Sequence, residues 1–335
     1  MKSNRTGETL DDIVHNALME QVKSWAKQGL SKEDIDKKLD DFDVDKMAEA
    51  IIPKARTDYF EYYKQHMADI GKEEKKKEDE FLSHQEQKWG KCFIASRIMY
   101  VIAIETAESY NKLIAKKDTA KVEEKKHTYL ALLHIHGRVC QEFLEVYHLL
   151  RLGFADGAYA RWRSMYELCC YGQFIIEQGE QIAKQYYEQS ETEHRRHEWT
   201  KGAVNKDGKE LNIVNFDKLQ DSLDIDASWK EQYRLACTVN HGSPQGTFKR
   251  LANYGNKNLI PVGHSDYGIA MPAVNSAVTL AWISNLFFNI FPTYEFQARS
   301  LLLNDWVQMI RELYIKTEEV LFPEPQKSEE EQTRE

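Results

Sequence analysis

Glycine and proline are scarce in this chain, which has 16 glycines and seven prolines among 335 residues. Both residue types interrupt helices and mark tight turns, so an all-β sandwich with a turn every ten residues or so is disfavoured. Apolar residues make up 42% of the sequence, which is enough to fill a buried core and excludes a disordered chain. The sequence therefore predicts an all-α protein built from long helices.

Charge patterning divides the predicted helices into a small module and a larger body. Residues 1–70 are typical of short polar helices, with a capping-box pattern at Ser31–Asp34, and form the predicted helical N-terminal module. Residues 71–322 form the predicted helical bundle body, which opens with a stretch dense in both charge signs. Residues 323–335 are acidic and are predicted to be a disordered tail.

Two amphipathic helices within the body, at about 127–152 and 158–177, are separated by the glycine turn 153–157. A turn this short predicts antiparallel neighbours. The segment 267–294 carries no charged residue and is long enough to span a bilayer. Its Asn, Ser and Thr residues favour a buried central helix instead, so we expect no membrane partner.

The five cysteines include no C-x-x-C pair and no signal peptide precedes them, which favours reduced thiols and a cytoplasmic location. The formal net charge of −9 argues against a protein that coats duplex DNA. A local cationic site for RNA remains compatible with that charge.

Arg163 and Glu167 are the first candidate site residues. They lie four positions apart, so they share one face of a helix. Glu167 has apolar neighbours and needs a partner, which Arg163 can supply. The pair has two open interpretations, a structural tie between helices or part of a functional site.

Arg234 and His241 form the second candidate, on a predicted helix that leads into the glycine-rich segment 242–268. Their R-x6-H spacing resembles that of the HEPN-type helical ribonuclease superfamily of bacterial defence and toxin systems. There the histidine moves a proton and the arginine binds the scissile phosphate, without a metal ion. The alternative is a histidine that only caps the helix.

A third interpretation is a di-metal carboxylate bundle, in which Glu and E-x-x-H ligands from several helices converge. Two observations oppose it: the second E-x-x-H lies in a polar stretch without an apolar stripe, and the turn 153–157 is too short for a ferritin-like crossover. The candidate ligands are Glu105, Glu145, His148, Glu167, Glu191 and His194.

Residues of about 128–290 resemble a bacterial all-helical family of unknown function. The resemblance rests on a leucine pair, a short glycine turn, an R-S-x-x-E helix and a downstream His-Gly-Ser, which are Leu149-Leu150, 153–157, Arg163 to Glu167, and 241–243 here. It implies a shared fold and a shared site at Arg163, Glu167 and His241. Genes of this family often lie near phage-defence loci, which implies a role in phage defence or stress response.

The leading expectation is thus a HEPN-like, metal-independent endoribonuclease that needs no cofactor. His241 would be the acid or base, Arg234 or Arg163 the phosphate contact, and Glu167 an orienting carboxylate. The expected partners are RNA and a second copy of the chain or a protein from the same operon. The alternatives are a non-catalytic helical interaction or sensor protein and, third, the di-metal bundle.

Overall fold

The computed structural model describes residues 10–192, 197–253 and 260–323. Within these ranges the chain forms twelve α-helices and two short 3₁₀ turns, and the only strand-like feature is an isolated bridge between Val204 and Glu210. The predicted all-α class is confirmed. The helices are α1 (Leu10–Lys27), α2 (Lys32–Asp40), α3 (Val44–Ile114), α4 (Thr119–Glu123), α5 (Lys126–Arg151), α6 (Ala155–Gln178), α7 (Glu180–Gln189), α8 (Phe216–Ser222), α9 (Ala227–Asn240), α10 (Pro244–Phe248), α11 (Ala270–Phe288) and α12 (Tyr294–Leu321).

The chain divides into two compact units, Met1–Asp79 and Glu80–Glu335, and α3 is continuous across the division. The boundary expected at residue 70 therefore lies inside a helix. In the first unit, Trp25 is buried and its ring lies 5.8 Å from that of Phe42. The predicted cap of α2 is confirmed, because Ser31 Oγ accepts a hydrogen bond from the Asp34 amide at 3.2 Å.

The core of the second unit is organised around α11, which packs against α5, α6 and α12. The polar residues of α11 bond inside the core: Thr279 Oγ1 accepts from Trp162 Nε1 at 2.9 Å and donates to the Asn275 carbonyl. The expectation of a buried central helix in the uncharged segment is confirmed. By length and composition, α11 is also the one described helix that could cross a membrane.

Helices α5 and α6 form the expected hairpin and pack closely along each other in the core. Gly153 at their turn has φ +73°, and a Cβ there would lie 2.5 Å from the Ser265 carbonyl oxygen. Only glycine fits this conformation and this close approach. Helix α9, which carries Arg234 and ends just before His241, packs against α6, which carries Arg163 and Glu167.

Candidate functional site

Arg163 and Glu167 form an ion pair on α6, with 2.8 Å between Arg163 Nη2 and Glu167 Oε1. Tyr233 of α9 joins this pair. Its hydroxyl donates to Glu167 Oε1 at 2.7 Å and accepts from Arg163 Nη2 at 3.3 Å. The Arg163 guanidinium carbon lies 5.4 Å from the Tyr233 ring centroid, within cation–π range. We call these three residues the α6–α9 triad.

Burial and charge within the α6–α9 triad hold its protons in place. Burial raises the pKa of Tyr233, and the hydrogen bond to Glu167 raises it further, so the hydroxyl stays protonated and donates. Burial lowers the pKa of Arg163, but the Tyr233 hydrogen bond and the Glu167 charge outweigh it and the net shift is upward. The triad therefore fits a structural tie better than a proton-transfer site.

A second ion network surrounds Glu142 of α5, whose side chain is only 2% exposed. Glu142 Oε1 accepts from Arg138 Nε at 3.0 Å and from Ser164 Oγ at 3.1 Å, and lies 3.5 Å from Arg161 Nη1. Burial raises the pKa of Glu142, although these partners lower it in part. Glu142 Oε2 is buried and accepts no hydrogen bond from the described residues.

The Glu142 network contains residues that the sequence analysis did not single out, Glu142 and Arg138 among them. A signal was present, because Arg138 precedes Glu142 by four positions on a helix whose neighbouring residues are apolar. Ser164, inside the R-S-x-x-E motif, connects α6 to this network. That motif thus serves two neighbours, with Ser164 bonded to α5 and the Arg163–Glu167 pair bonded to α9.

Arg234 and His241 are both exposed; Arg234 lies on α9, and His241 follows the last residue of that helix with extended backbone. His241 is the C-cap residue, and its backbone amide donates to the Cys237 carbonyl at 3.1 Å. Neither side chain makes a hydrogen bond or an ion pair with any described residue. The expected cluster of Arg163, Glu167 and His241 is therefore not joined by direct contacts, and Glu167 is oriented towards Tyr233 rather than His241.

The six candidate metal ligands are not brought together in the parts of the chain that the structure describes, where no group of three or more His, Cys, Asp or Glu could hold a metal ion. Glu105 and His148 are exposed, and Glu167 belongs to the α6–α9 triad. Glu145 pairs with Arg161, with 2.7 Å between Glu145 Oε2 and Arg161 Nε. The remaining two are Glu191, which is exposed after the end of α7, and His194, which lies outside the described residues.

The glycine-rich segment 242–268 docks on the turn between α5 and α6. The Ser265 amide donates to the Gly153 carbonyl at 3.0 Å. Asp156 of α6 accepts from the Leu251 amide at 2.8 Å and from Arg250 Nε at 3.2 Å. Of the glycines expected to mark a site here, Gly246 and Gly268 allow close approach of neighbouring backbone, whereas Gly242 and Gly263 face open space. Residues 254–259 of the segment lie outside the described residues.

Comparison with known proteins gives one family match. Residues 129–232, about a third of the chain, match the model of a family of unknown function, DUF5677. No curated protein and no solved structure matches the chain. The matched segment contains the Glu142 network and the R-S-x-x-E motif, whereas Tyr233, Arg234 and His241 lie just beyond its end, so this part of the chain resembles an uncharacterised family.

Proposed function

We propose that the exposed end of α9 cleaves RNA without a metal ion, as a HEPN-like endoribonuclease would. One observation carries the proposal: Arg234 on the last turns of α9 and His241, the C-cap residue just after its end, are both exposed, and neither side chain makes a hydrogen bond or an ion pair with a described residue. A cation and a proton-exchanging ring that are not used by the fold are available to a phosphodiester. Arg163 is less suited as the phosphate contact, because Glu167 and Tyr233 already bind it.

In the proposed reaction, the His241 imidazole takes the proton of a ribose 2′-hydroxyl. The resulting oxygen attacks the adjacent phosphorus and the bond to the 5′-oxygen breaks, which leaves a 2′,3′-cyclic phosphate and a 5′-hydroxyl that takes a proton from water. The Arg234 guanidinium binds the non-bridging oxygens as their charge rises. The α6–α9 triad holds α9, and with it both groups, against the core.

The test is cleavage of total RNA by the purified full-length protein, with and without EDTA, followed on denaturing gels. We expect cleavage that EDTA leaves unchanged. His241→Ala is expected to lower the rate at least about 100-fold, since proton transfer by a positioned side chain is worth that much. Arg234→Ala is expected to lower it as well, through the loss of phosphate binding.

His84→Ala and Arg311→Ala are the matched controls, because each removes an exposed side chain of the same type far along the sequence from α9. Both controls should cleave at the wild-type rate. Absence of cleavage in the wild type, or equal rates in the wild type and His241→Ala, contradicts the proposal. The setting in phage defence or stress response and the cytoplasmic location are part of the same proposal.

A second candidate is a non-catalytic helical interaction or sensor protein. The observation that favours it is that the charged residues bond to one another inside the fold. The α6–α9 triad and the Glu142 network join α5, α6 and α9, and Glu167 bonds to Arg163 and Tyr233. In this case the residues of the R-S-x-x-E motif hold the α5–α6 hairpin together and fix α9 against it. The RNA experiment separates the two candidates, because a folded protein that binds or ignores RNA without cleaving it supports the second.

A further inference from the structure

An apolar patch lies on the solvent side of α3 within the second unit. Ile94, Ile98 and Val101 are 59%, 41% and 40% exposed. They recur at intervals of four and three residues, so they form one stripe on the helix. A contiguous exposed apolar stripe is unfavourable in water and is typical of an interaction surface.

Charged residues continue this stripe at both ends. Lys91 precedes it, and Glu105 and Glu108 follow it. All three are exposed, and none makes an ion pair with a described residue. We call the six residues the α3 outer face; they are Lys91, Ile94, Ile98, Val101, Glu105 and Glu108.

The α3 outer face is complementary to itself when a second copy is turned end to end. With the two-fold axis between positions 99 and 100, Ile98 faces Val101, Ile94 faces Glu105 and Lys91 faces Glu108. The apolar residues then meet at the centre, and the positive end of each helix faces the negative end of the other. A two-fold contact requires such self-complementarity, because both copies present the same surface.

Helix α12 extends the apolar surface beside α3. Trp306 reaches across and donates from Nε1 to the Ala95 carbonyl at 2.8 Å. Leu302 is 43% exposed, and Met309 is half-buried on the same side of α12. These residues of α12 offer further apolar surface near Ala95, one turn before Ile98 on α3.

We propose that the chain forms a homodimer through an antiparallel, two-fold contact between the α3 outer faces. Ile98 and Val101 are the central apolar contacts, and two Lys91–Glu108 ion pairs close the ends. This contact goes beyond the proposed RNA cleavage and does not depend on it, because none of its residues belongs to α9 or to the α6–α9 triad.

The first test is the mass of the full-length protein in solution, measured by sedimentation velocity over a range of concentrations. The wild type is expected to be a dimer. Ile98→Asp places a charge at the two-fold axis and is expected to give a monomer of unchanged helix content. Ile315→Asp is the matched control, since Ile315 of α12 is 42% exposed and lies outside the α3 outer face, and it should stay dimeric.

The second test exchanges the charges that the proposal pairs. Lys91→Glu and Glu108→Lys each place like charges opposite each other twice per dimer, and each is expected to raise the dissociation constant about tenfold. The double variant should restore the wild-type constant. Because 17 positions separate the two residues on one helix, about 25 Å, they cannot pair within one chain, and restoration identifies a contact between chains.

A wild type that remains monomeric at every concentration overturns the proposal. So does a dimer that Ile98→Asp leaves intact, or a charge exchange that weakens the dimer further instead of restoring it. Circular dichroism on each variant shows whether the helices are retained, and the charge variants keep the proposal testable if Ile98→Asp does not fold, because they change only exposed side chains.

Discussion

At the scale of single residues, the buried histidine of α5 has a direct consequence for stability. His136 is fully enclosed, its Nε2 lies 3.1 Å from Ser284 Oγ, and its ring stacks on Phe287 with 5.2 Å between centroids. Burial lowers the pKa of His136 from 6.5 to about 4. The folded protein therefore keeps this imidazole neutral at pH values where the unfolded chain binds a proton.

We predict that acid destabilises the protein through His136. Above pH 6.5 the imidazole is neutral in both the folded and the unfolded chain, and the protein has its full stability. As the pH falls towards 4, only the unfolded chain binds a proton there, and the free energy of unfolding decreases by about 3 kcal/mol. Urea unfolding of the second unit between pH 4 and 7 measures this slope. In His136→Gln, which has no titrating group at this position, the corresponding part of the slope is expected to disappear.

His134→Gln is the control for that prediction, because His134 lies two positions away on α5 but is exposed. Its slope should match the wild type. Burial raises the pKa values of the Glu142 and Glu318 carboxyl groups, so these groups make the unfolding free energy change with pH in the opposite direction. They are present in all three proteins, so their effect cancels when the proteins are compared. Equal slopes in wild type and His136→Gln would show that the buried imidazole is not the source.

At the scale of helices, Glu180 caps a helix that is not its own. It stands at the start of α7, and its carboxylate accepts from the backbone amides of His127 and Thr128 in the first turn of α5 at 2.7 and 3.0 Å. The Thr128 hydroxyl adds a third bond at 2.8 Å, and the His127 imidazole Nδ1 a fourth at 2.8 Å. Burial raises the pKa of Glu180, but these hydrogen bonds outweigh it and the net shift is downward.

We predict that Glu180→Ala destabilises the protein by about 1–2 kcal/mol, since it removes the acceptor of two otherwise unpaired amides and a negative charge at a helix N-terminus. Urea unfolding at pH 7 gives this difference. The stabilisation by the Glu180 carboxylate is present above pH 4.5 and is lost as the pH falls through its lowered pKa. The unfolding free energies of the wild type and the variant should therefore become equal in acid. Glu188→Ala, on the exposed side of α7, should change the free energy of unfolding little. A loss of stability equal to that of Glu180→Ala would refute the capping role.

The helices themselves were largely predictable because their signals are local. The cap at Ser31, the glycine turn at 153–157 and the uncharged central helix each follow from a few neighbouring residues. The end of the polar helix α7 at Gln189 was harder to predict. Apolar periodicity is weak in that stretch, so its boundary depends on packing against distant residues.

The candidate site was less predictable, because its contacts join residues far apart in the sequence. Arg163 and Glu167 were identified by their spacing on one helix, but their partner Tyr233 is 66 residues beyond Glu167. Glu142 meets Ser164 only because the α5–α6 turn folds the two helices together. Tertiary packing decides which charged residues bond to one another and which stay exposed. Short sequence patterns do not show this, because the partners are far apart along the chain.

At the scale of the whole molecule, the division of the chain predicts independent stability for the second unit. Its continuous apolar core begins at Trp89 and contains none of the described residues 10–79. Trp25, in contrast, is buried within the first unit. The described residues that form this core cluster therefore all belong to the second unit.

We predict that the fragment 80–335 unfolds cooperatively, with the same urea midpoint as the second unit has in the full chain. The two unfolding free energies should agree within about 0.5 kcal/mol. Of the seven tryptophans, only Trp25 precedes residue 80. Full-length Trp25→Phe therefore reports the second unit alone by tryptophan fluorescence and is the reference for the fragment. A fragment with a lower midpoint or a broad transition would mean that residues 1–79 stabilise the core, because the second unit then needs more than the apolar contacts that begin at Trp89.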